Sequence, residues 1–118
     1  MKSLPSLILL VTLASTGVYG AELYCPGGGL TSYKSDIIMC LDDLTGQSDD
    51  QSTVGPGKST VWTAWVCQCY CFYQFGNNSA TKFAGLKEKL IECVNKGSST
   101  PRKASVYDST NYLMYECK

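Results

Sequence analysis

Thr60-Val61-Trp62-Thr63-Ala64-Trp65-Val66-Cys67-Gln68-Cys69-Tyr70-Cys71-Phe72-Tyr73-Gln74-Phe75 is the stretch on which the fold turns. It is rich in β-branched and aromatic residues, and neither Gly nor Pro interrupts it, so it reads as a strand. Cys67, Cys69 and Cys71 stand at i, i+2 and i+4, which on one strand puts all three on one face. Trp62, Ala64 and Val66 occupy the opposite parity. A bulge near Val66, or a strand apolar on both faces, would reconcile the two sets. Bonds within the trio would be strained, so each of its cysteines should seek a partner elsewhere.

Two helical patterns flank this stretch. In Ser32 to Leu44, Ile37, Cys40, Leu41 and Leu44 share one face, and Gly46 stands just past the end as a stop. In Ala80 to Asn95, Phe83, Leu86, Leu90, Cys93 and Val94 share one face, with Asn78 or Ser79 as N-cap and Gly97 as terminator. Glu22 to Cys25, Lys103 to Tyr107 and Asn111 to Cys117 are strand-like, the last two joined by a turn at Asp108-Ser109-Thr110. Gln47 to Ser59 is a polar loop. The order β-α-β-α-β-β predicts an α+β two-layer sandwich, with two helices packed on an antiparallel sheet. Cys40 and Cys93 point inward from the helices, so disulfides from both to the central strand are expected. Cys25 and Cys117 lie on outer strands. One of them takes the third strand cysteine, or the two clasp each other.

The chain has 118 residues, seven of them Cys and none of them His. The first twenty read as a secretory signal peptide. Lys2 is the positive end, Leu7 to Val11 the apolar core, and Val18-Tyr19-Gly20 the cleavage site. Residues 21–118 then form a single cysteine-rich domain, with a net charge of −1 from nine basic and ten acidic residues. In an oxidising compartment Cys25, Cys40, Cys67, Cys69, Cys71, Cys93 and Cys117 read as a disulfide framework, and the odd number leaves one thiol free or bonded to a second chain. A zinc site is the rival reading of the trio, but zinc favours two-residue spacings and the secretory route favours disulfides. No metal or cofactor is expected. Without His there is no Ser/His or Cys/His nucleophile pair. Balanced charge argues against nucleic-acid binding, and no later apolar run is long enough for stable membrane insertion.

Several shorter patterns invite a function. Gly57-Lys58-Ser59 resembles the end of a phosphate-binding loop, but position 52 is Ser and a strand pattern follows. Gly27-Gly28-Gly29 would suit an anion or, more simply, a tight turn. Asp42/Asp43 and Asp49/Asp50 are adjacent pairs, which do not face one another and so specify no acid/base couple. Asp36 to Asp50 holds five acids and no base, whereas Lys82 to Lys103 holds six bases and two acids. That asymmetry suits a solvated surface or electrostatic docking. Asn77-Asn78-Ser79 is an N-glycosylation sequon, with Asn77 the acceptor. Tyr107, Tyr112 and Tyr115 are candidates for an exposed binding surface. Arg102-Lys103 is a dibasic pair, a candidate processing site.

Cys25-Pro26-Gly27-Gly28-Gly29-Leu30-Thr31, the Cys67-Gln68-Cys69-Tyr70-Cys71 run and the single cysteine of the second helix, Cys93, together carry a resemblance. The chain resembles the small secreted cysteine-rich effectors of plant-associated fungi. Within them it is most similar to the killer-toxin-like group, related to the virally encoded killer toxin subunits of smut fungi. The resemblance implies two helices on an antiparallel sheet, and a toxin-like role. This chain differs in having seven cysteines rather than an even number. A second likeness is to ribonuclease-like secreted effectors, through the placement of Cys25 and Cys117.

These readings converge on a secreted, extracellular, non-catalytic effector or toxin-like protein. It would bind a host or competitor protein or cell-surface target, and the odd cysteine would offer a disulfide-linked homodimer. The alternatives are a divergent ribonuclease or hydrolase using Asp49 or Glu116, and an inhibitor or lectin-like module using the Gln47–Ser59 loop.

Overall fold

The decisive stretch folds as a hairpin, not as one long strand. The computed structural model describes residues 21–26, 30–31, 33–48, 57–76, 82–96, 100–108 and 111–118. Its elements are β1 (Glu22–Tyr24), β2 (Leu30–Thr31), α1 (Lys34–Ser48), β3 (Ser59–Val66), β4 (Cys69–Gly76), α2 (Phe83–Val94), β5 (Thr100–Pro101), β6 (Lys103–Asp108) and β7 (Asn111–Cys117). Val66 pairs with Cys69, so Cys67 and Gln68 alone make the turn. Cys67 sits in the left-handed region, with φ 52°. A two-residue hairpin needs such a conformation, which Gly, Asn or Asp ordinarily supplies. None of these stands here, so the sequence carries no turn signal. The hairpin also explains the parity problem. Even residues of β3 and odd residues of β4 pair across the ladder and share the inner face, with no bulge.

Strand order is β1-β6-β7-β4-β3, antiparallel throughout, with β2 and β5 forming a separate two-stranded ribbon. From β1 at one edge of the sheet the chain passes through α1 to the β3–β4 hairpin at the other edge. It returns through α2 and fills the gap with β6 and β7. Both helices cover the same face, α1 over β3 and β4 and α2 chiefly over β6. The fold is therefore the expected α+β two-layer sandwich.

The helix stripes are where the periodicity put them. Ile37, Cys40, Leu41 and Leu44 from α1, with Phe83, Leu86, Leu90, Cys93 and Val94 from α2, are all buried against Trp62, Tyr73, Phe75, Val106, Leu113 and Tyr115 of the sheet. Trp62 lies at the centre of an aromatic cluster, with ring centroids 5.4 Å from Tyr73, 4.8 Å from Phe75 and 5.6 Å from Phe83. Edge-on pairs of this kind add to the area they bury.

Helix boundaries differ from the expectation. α1 runs through Gly46 to Ser48, because an exposed glycine weakens a helix by only about 1 kcal/mol relative to Ala. The extra turn is held from outside. Gln47 Nε2 donates to the carbonyl of Thr63 on edge strand β3 at 2.9 Å, and Lys87 of α2 reaches Thr45 Oγ1 at 2.7 Å. α2 is shorter than its pattern and begins after Lys82, which makes no side-chain cap. Asn78, Ser79 and Gly97, the expected cap and stop residues, lie outside the described residues. At its far end Thr100 Oγ1 donates to the carbonyl of Val94.

Three disulfides join these parts: Cys25–Cys93, Cys40–Cys71 and Cys69–Cys117. Cys40–Cys71 ties α1 to β4, across the layers. Cys93 does not reach the central strand; it pairs with Cys25, just beyond β1. Cys69 and Cys117 are register partners on neighbouring strands. Cys67 is the unpaired one. Its i, i+2, i+4 spacing predicts one strand face shared with Cys69 and Cys71, but the turn takes it out of the strand and leaves it exposed.

Candidate functional site

The layer arrangement leaves one face of the sheet without a covering element among the described residues. Strand alternation decides what that face carries. Tyr107 of β6 pairs with Tyr112 of β7, and with Glu22 of β1 on its other side. Tyr24 pairs with Ser105, Ser105 with Met114, and Met114 with Phe72. At the hairpin end, Lys103 pairs with Glu116, Glu116 with Tyr70, and Tyr70 with Trp65. Each row crosses several strands, so the face is a ladder of aromatic residues spaced by polar ones.

Exposure separates this face from the core. Tyr24 is 57% exposed, Trp65 65%, Tyr107 48% and Tyr112 36%. Phe72 and Tyr112 meet edge-on at 6.1 Å, and Trp65 and Tyr70 lie 4.7 Å apart, tilted by 45°. Large aromatic side chains left in water with no layer above them are the composition of a recognition surface. Val61, the ladder partner of exposed Gln74, adds apolar area at the β3 edge of this face.

Of the three tyrosines singled out in the sequence, Tyr107 and Tyr112 lie on this face and Tyr115 does not. Tyr115 shares the parity of Leu113 and Cys117, so it points into the core. There its hydroxyl donates to the carbonyl of Pro101 at 2.7 Å. Burial pushes its phenol up to about 12. Tyr73, also buried, donates to Asn111 Oδ1. Its phenol is pushed further up by burial and by the negative charge of Asp108.

The other candidates scatter. Glu116 is exposed on the outer face, between Lys103 and Tyr70. Asp49, Asp50, the Asn77 sequon, Gly27-Gly28-Gly29 and the first twenty residues lie outside the described residues, as does most of the Gln47–Ser59 loop. Lys58 and Ser59 lead directly into β3, and no helix follows them. Asp42 faces Lys87 across the two helices, at 2.8 Å. Lys82 meets Asp108 at 3.3 Å. Some of the sequence's charge asymmetry is thus used inside the molecule. The Arg102–Lys103 pair does not lie in an open loop. Arg102 is a single residue between β5 and β6 whose carbonyl accepts from Cys117 N at 2.9 Å, and Lys103 belongs to the sheet. Among the described residues no group of three or more His, Cys, Asp or Glu side chains could hold a metal ion, and no helix is long and apolar enough to cross a membrane.

What sequence reasoning missed is the breadth of the face. Trp65 and Tyr70 differ in parity, so a single strand over Thr60 to Phe75 would set them on opposite faces. With the turn at Cys67–Gln68, both fall on the side away from the helices.

No family model matches the chain, and no curated protein does. Among solved structures it is similar to the tandem DUF26 ectodomain of the Arabidopsis thaliana cysteine-rich receptor-like protein PDLP8, with a TM-score of 0.53 and 17% identity. The match covers 82% of this chain and 44% of that one, so the chain spans less than half of the neighbour's length. At that identity the likeness is one of fold: helices on an antiparallel sheet, in a cysteine-rich chain.

Proposed function

We propose that this protein is a secreted, non-catalytic binding module that engages an extracellular or host-surface target through the outer face of its sheet. One observation carries the reading. Both helices pack on one face of a five-stranded sheet, while the other face holds Tyr24, Trp65, Tyr107 and Tyr112 exposed to solvent. The signal-like first twenty residues and the three disulfides support an extracellular setting. The solved neighbour is itself an ectodomain, which agrees with that setting. The resemblance to killer-toxin-like effectors supports a target on a plant host or a competing fungus. Cys67, exposed and unpaired, is the residue through which a disulfide-linked second copy would form.

The test is binding of fluorescently labelled secreted protein to plant protoplasts and to fungal cells. Saturable binding is expected on one of the two. A Tyr107→Asp/Tyr112→Asp chain should lose it by tenfold or more while keeping the native circular dichroism spectrum. Loss of those two rings alters only the exposed face, so unchanged binding in the double variant would remove the face from the account.

A further inference from the structure

One corner of the outer face is a cleft rather than a flat ladder. It lies where the β3–β4 turn meets the end of β7. It has a volume of about 250 Å³ and is lined by Trp65, Gln68, Tyr70, Glu116, Cys117 and Lys118. The fold fixes its shape from three sides. The Trp65–Tyr70 pair is set by the hairpin register. Tyr70–Glu116 is set by the β4–β7 register. The end of β7 is pinned to the turn by the Cys69–Cys117 disulfide and by Lys118 N donating to the carbonyl of Gln68 at 3.0 Å. A site built on paired strands and a covalent bond is already organised for its ligand.

We propose that this cleft binds a neutral glycan, with a sugar ring stacked on Trp65. The proposal rests on the outer-face reading above and names the ligand class at its hairpin corner. The chemistry of the lining carries it. Trp65 offers a flat apolar platform, 65% exposed, with Tyr70 tilted beside it as a second wall. An apolar ligand would need only those rings, but the rim is polar. Glu116 supplies a carboxylate acceptor, Lys118 an ammonium donor, and Gln68 an amide that does both. A ring with hydroxyls at its edges and C–H bonds on its faces uses all of them at once. The Glu116 carboxylate and the Lys118 ammonium offset each other, and among the described residues the lining does not bring together the several cations that a phosphate or a polyanion needs. The volume falls below the roughly 300 Å³ at which drug-sized pockets begin, and suits one or two sugar rings of a longer chain crossing an open cleft.

The two tryptophans make the test direct, because Trp62 is buried and Trp65 exposed. The probes are chitohexaose, cellohexaose, laminarihexaose and mannohexaose, with a polygalacturonate hexamer as the anionic comparison. Binding is read by Trp fluorescence and by titration calorimetry on the secreted protein. At least one neutral hexamer is expected to shift the Trp65 emission to the blue. Trp65→Ala should weaken that binding tenfold or more, Trp65→Phe less, and Glu116→Gln several-fold. Tyr107→Asp/Tyr112→Asp should leave it unchanged. The inference is overturned if none of the four neutral hexamers binds, if only the polygalacturonate does, or if Trp65→Ala binds as well as the parent. The two proposals fail separately. Cell binding that needs Tyr107 and Tyr112, with no hexamer bound, leaves the outer face standing and removes the glycan.

Discussion

Cys67 shows how one residue can mislead a reading and then explain it. Its spacing from Cys69 and Cys71 suggested a strand face, yet its backbone makes the turn. A non-glycine residue held in the left-handed region stores about 1–3 kcal/mol, which the paired strands on either side sustain. Its exposure also makes it the one thiol open to reagent. Alkylation of the unreduced monomer with iodoacetamide should add one adduct, mapped by mass spectrometry to Cys67. Adducts at any other cysteine would contradict the three disulfides. Changing Cys67 to Gly should abolish the adduct and leave stability unchanged or raised by up to about 1 kcal/mol, since Gly adopts this conformation freely. The turn was illegible for a physical reason: no residue in Val66 to Cys69 has the side chain that normally marks a tight turn. Tyr115, in contrast, carries a legible signal that its grouping with the other two tyrosines overlooks. Its alternation with Leu113 and Cys117 marks the core side of β7, which is why grouping it with Tyr107 and Tyr112 as an exposed surface fails.

At the scale of elements, periodicity did well and boundaries did less well. Both helix stripes match the buried residues, because a 3.6-residue apolar repeat has few alternatives in a chain this short. The end of α1 was missed because what holds it is tertiary: Gln47 on the edge of β3, and Lys87 on Asp42 and Thr45. The same contacts rank the forces that fix α1. The Cys40–Cys71 bond closes 31 residues, for which chain entropy gives about 3.5–4 kcal/mol. The Lys87–Asp42 pair leaves its carboxylate largely in water and is worth less than about 1 kcal/mol. Urea unfolding should therefore show Cys40→Ala/Cys71→Ala losing about 3–4 kcal/mol, and Lys87→Ala losing less than 1. A Lys87→Ala loss as large as the disulfide's would mean that the ion pair, not the covalent bond, positions α1.

Taken whole, the molecule puts its ordinary chemistry inside and its unusual surface outside. Two phenols are sealed in the core, and this gives stability an alkaline limit. Tyr115 ionises near pH 12 in the folded chain and near 10 when unfolded, and Tyr73 is shifted the same way. Between those values the folded state keeps protons that the unfolded state has lost, so stability falls as pH rises through the window, and neither phenol affects it below pH 10. Urea midpoints measured promptly after transfer should be level from pH 8 to 9.5 and decline from 10 to 12. Tyr115→Phe should flatten part of that decline. At neutral pH it should also cost about 1–3 kcal/mol, because the carbonyl of Pro101 loses its buried donor. A profile unchanged by Tyr115→Phe would place the alkaline loss elsewhere.

The three disulfides have one more consequence, which lies in how their spans overlap. Cys25–Cys93 encloses Cys40–Cys71, and Cys69–Cys117 interlocks with both. Every peptide bond from Cys25 to Cys117 therefore lies within at least one bridged span. A protease that nicks this stretch once, in the segment between α1 and β3, cuts the chain but releases nothing. The two pieces stay one covalent particle, with their termini held near where the sheet left them, and a nick that spares the strands leaves the outer face assembled. In the extracellular setting proposed above, being cut is then distinct from being destroyed.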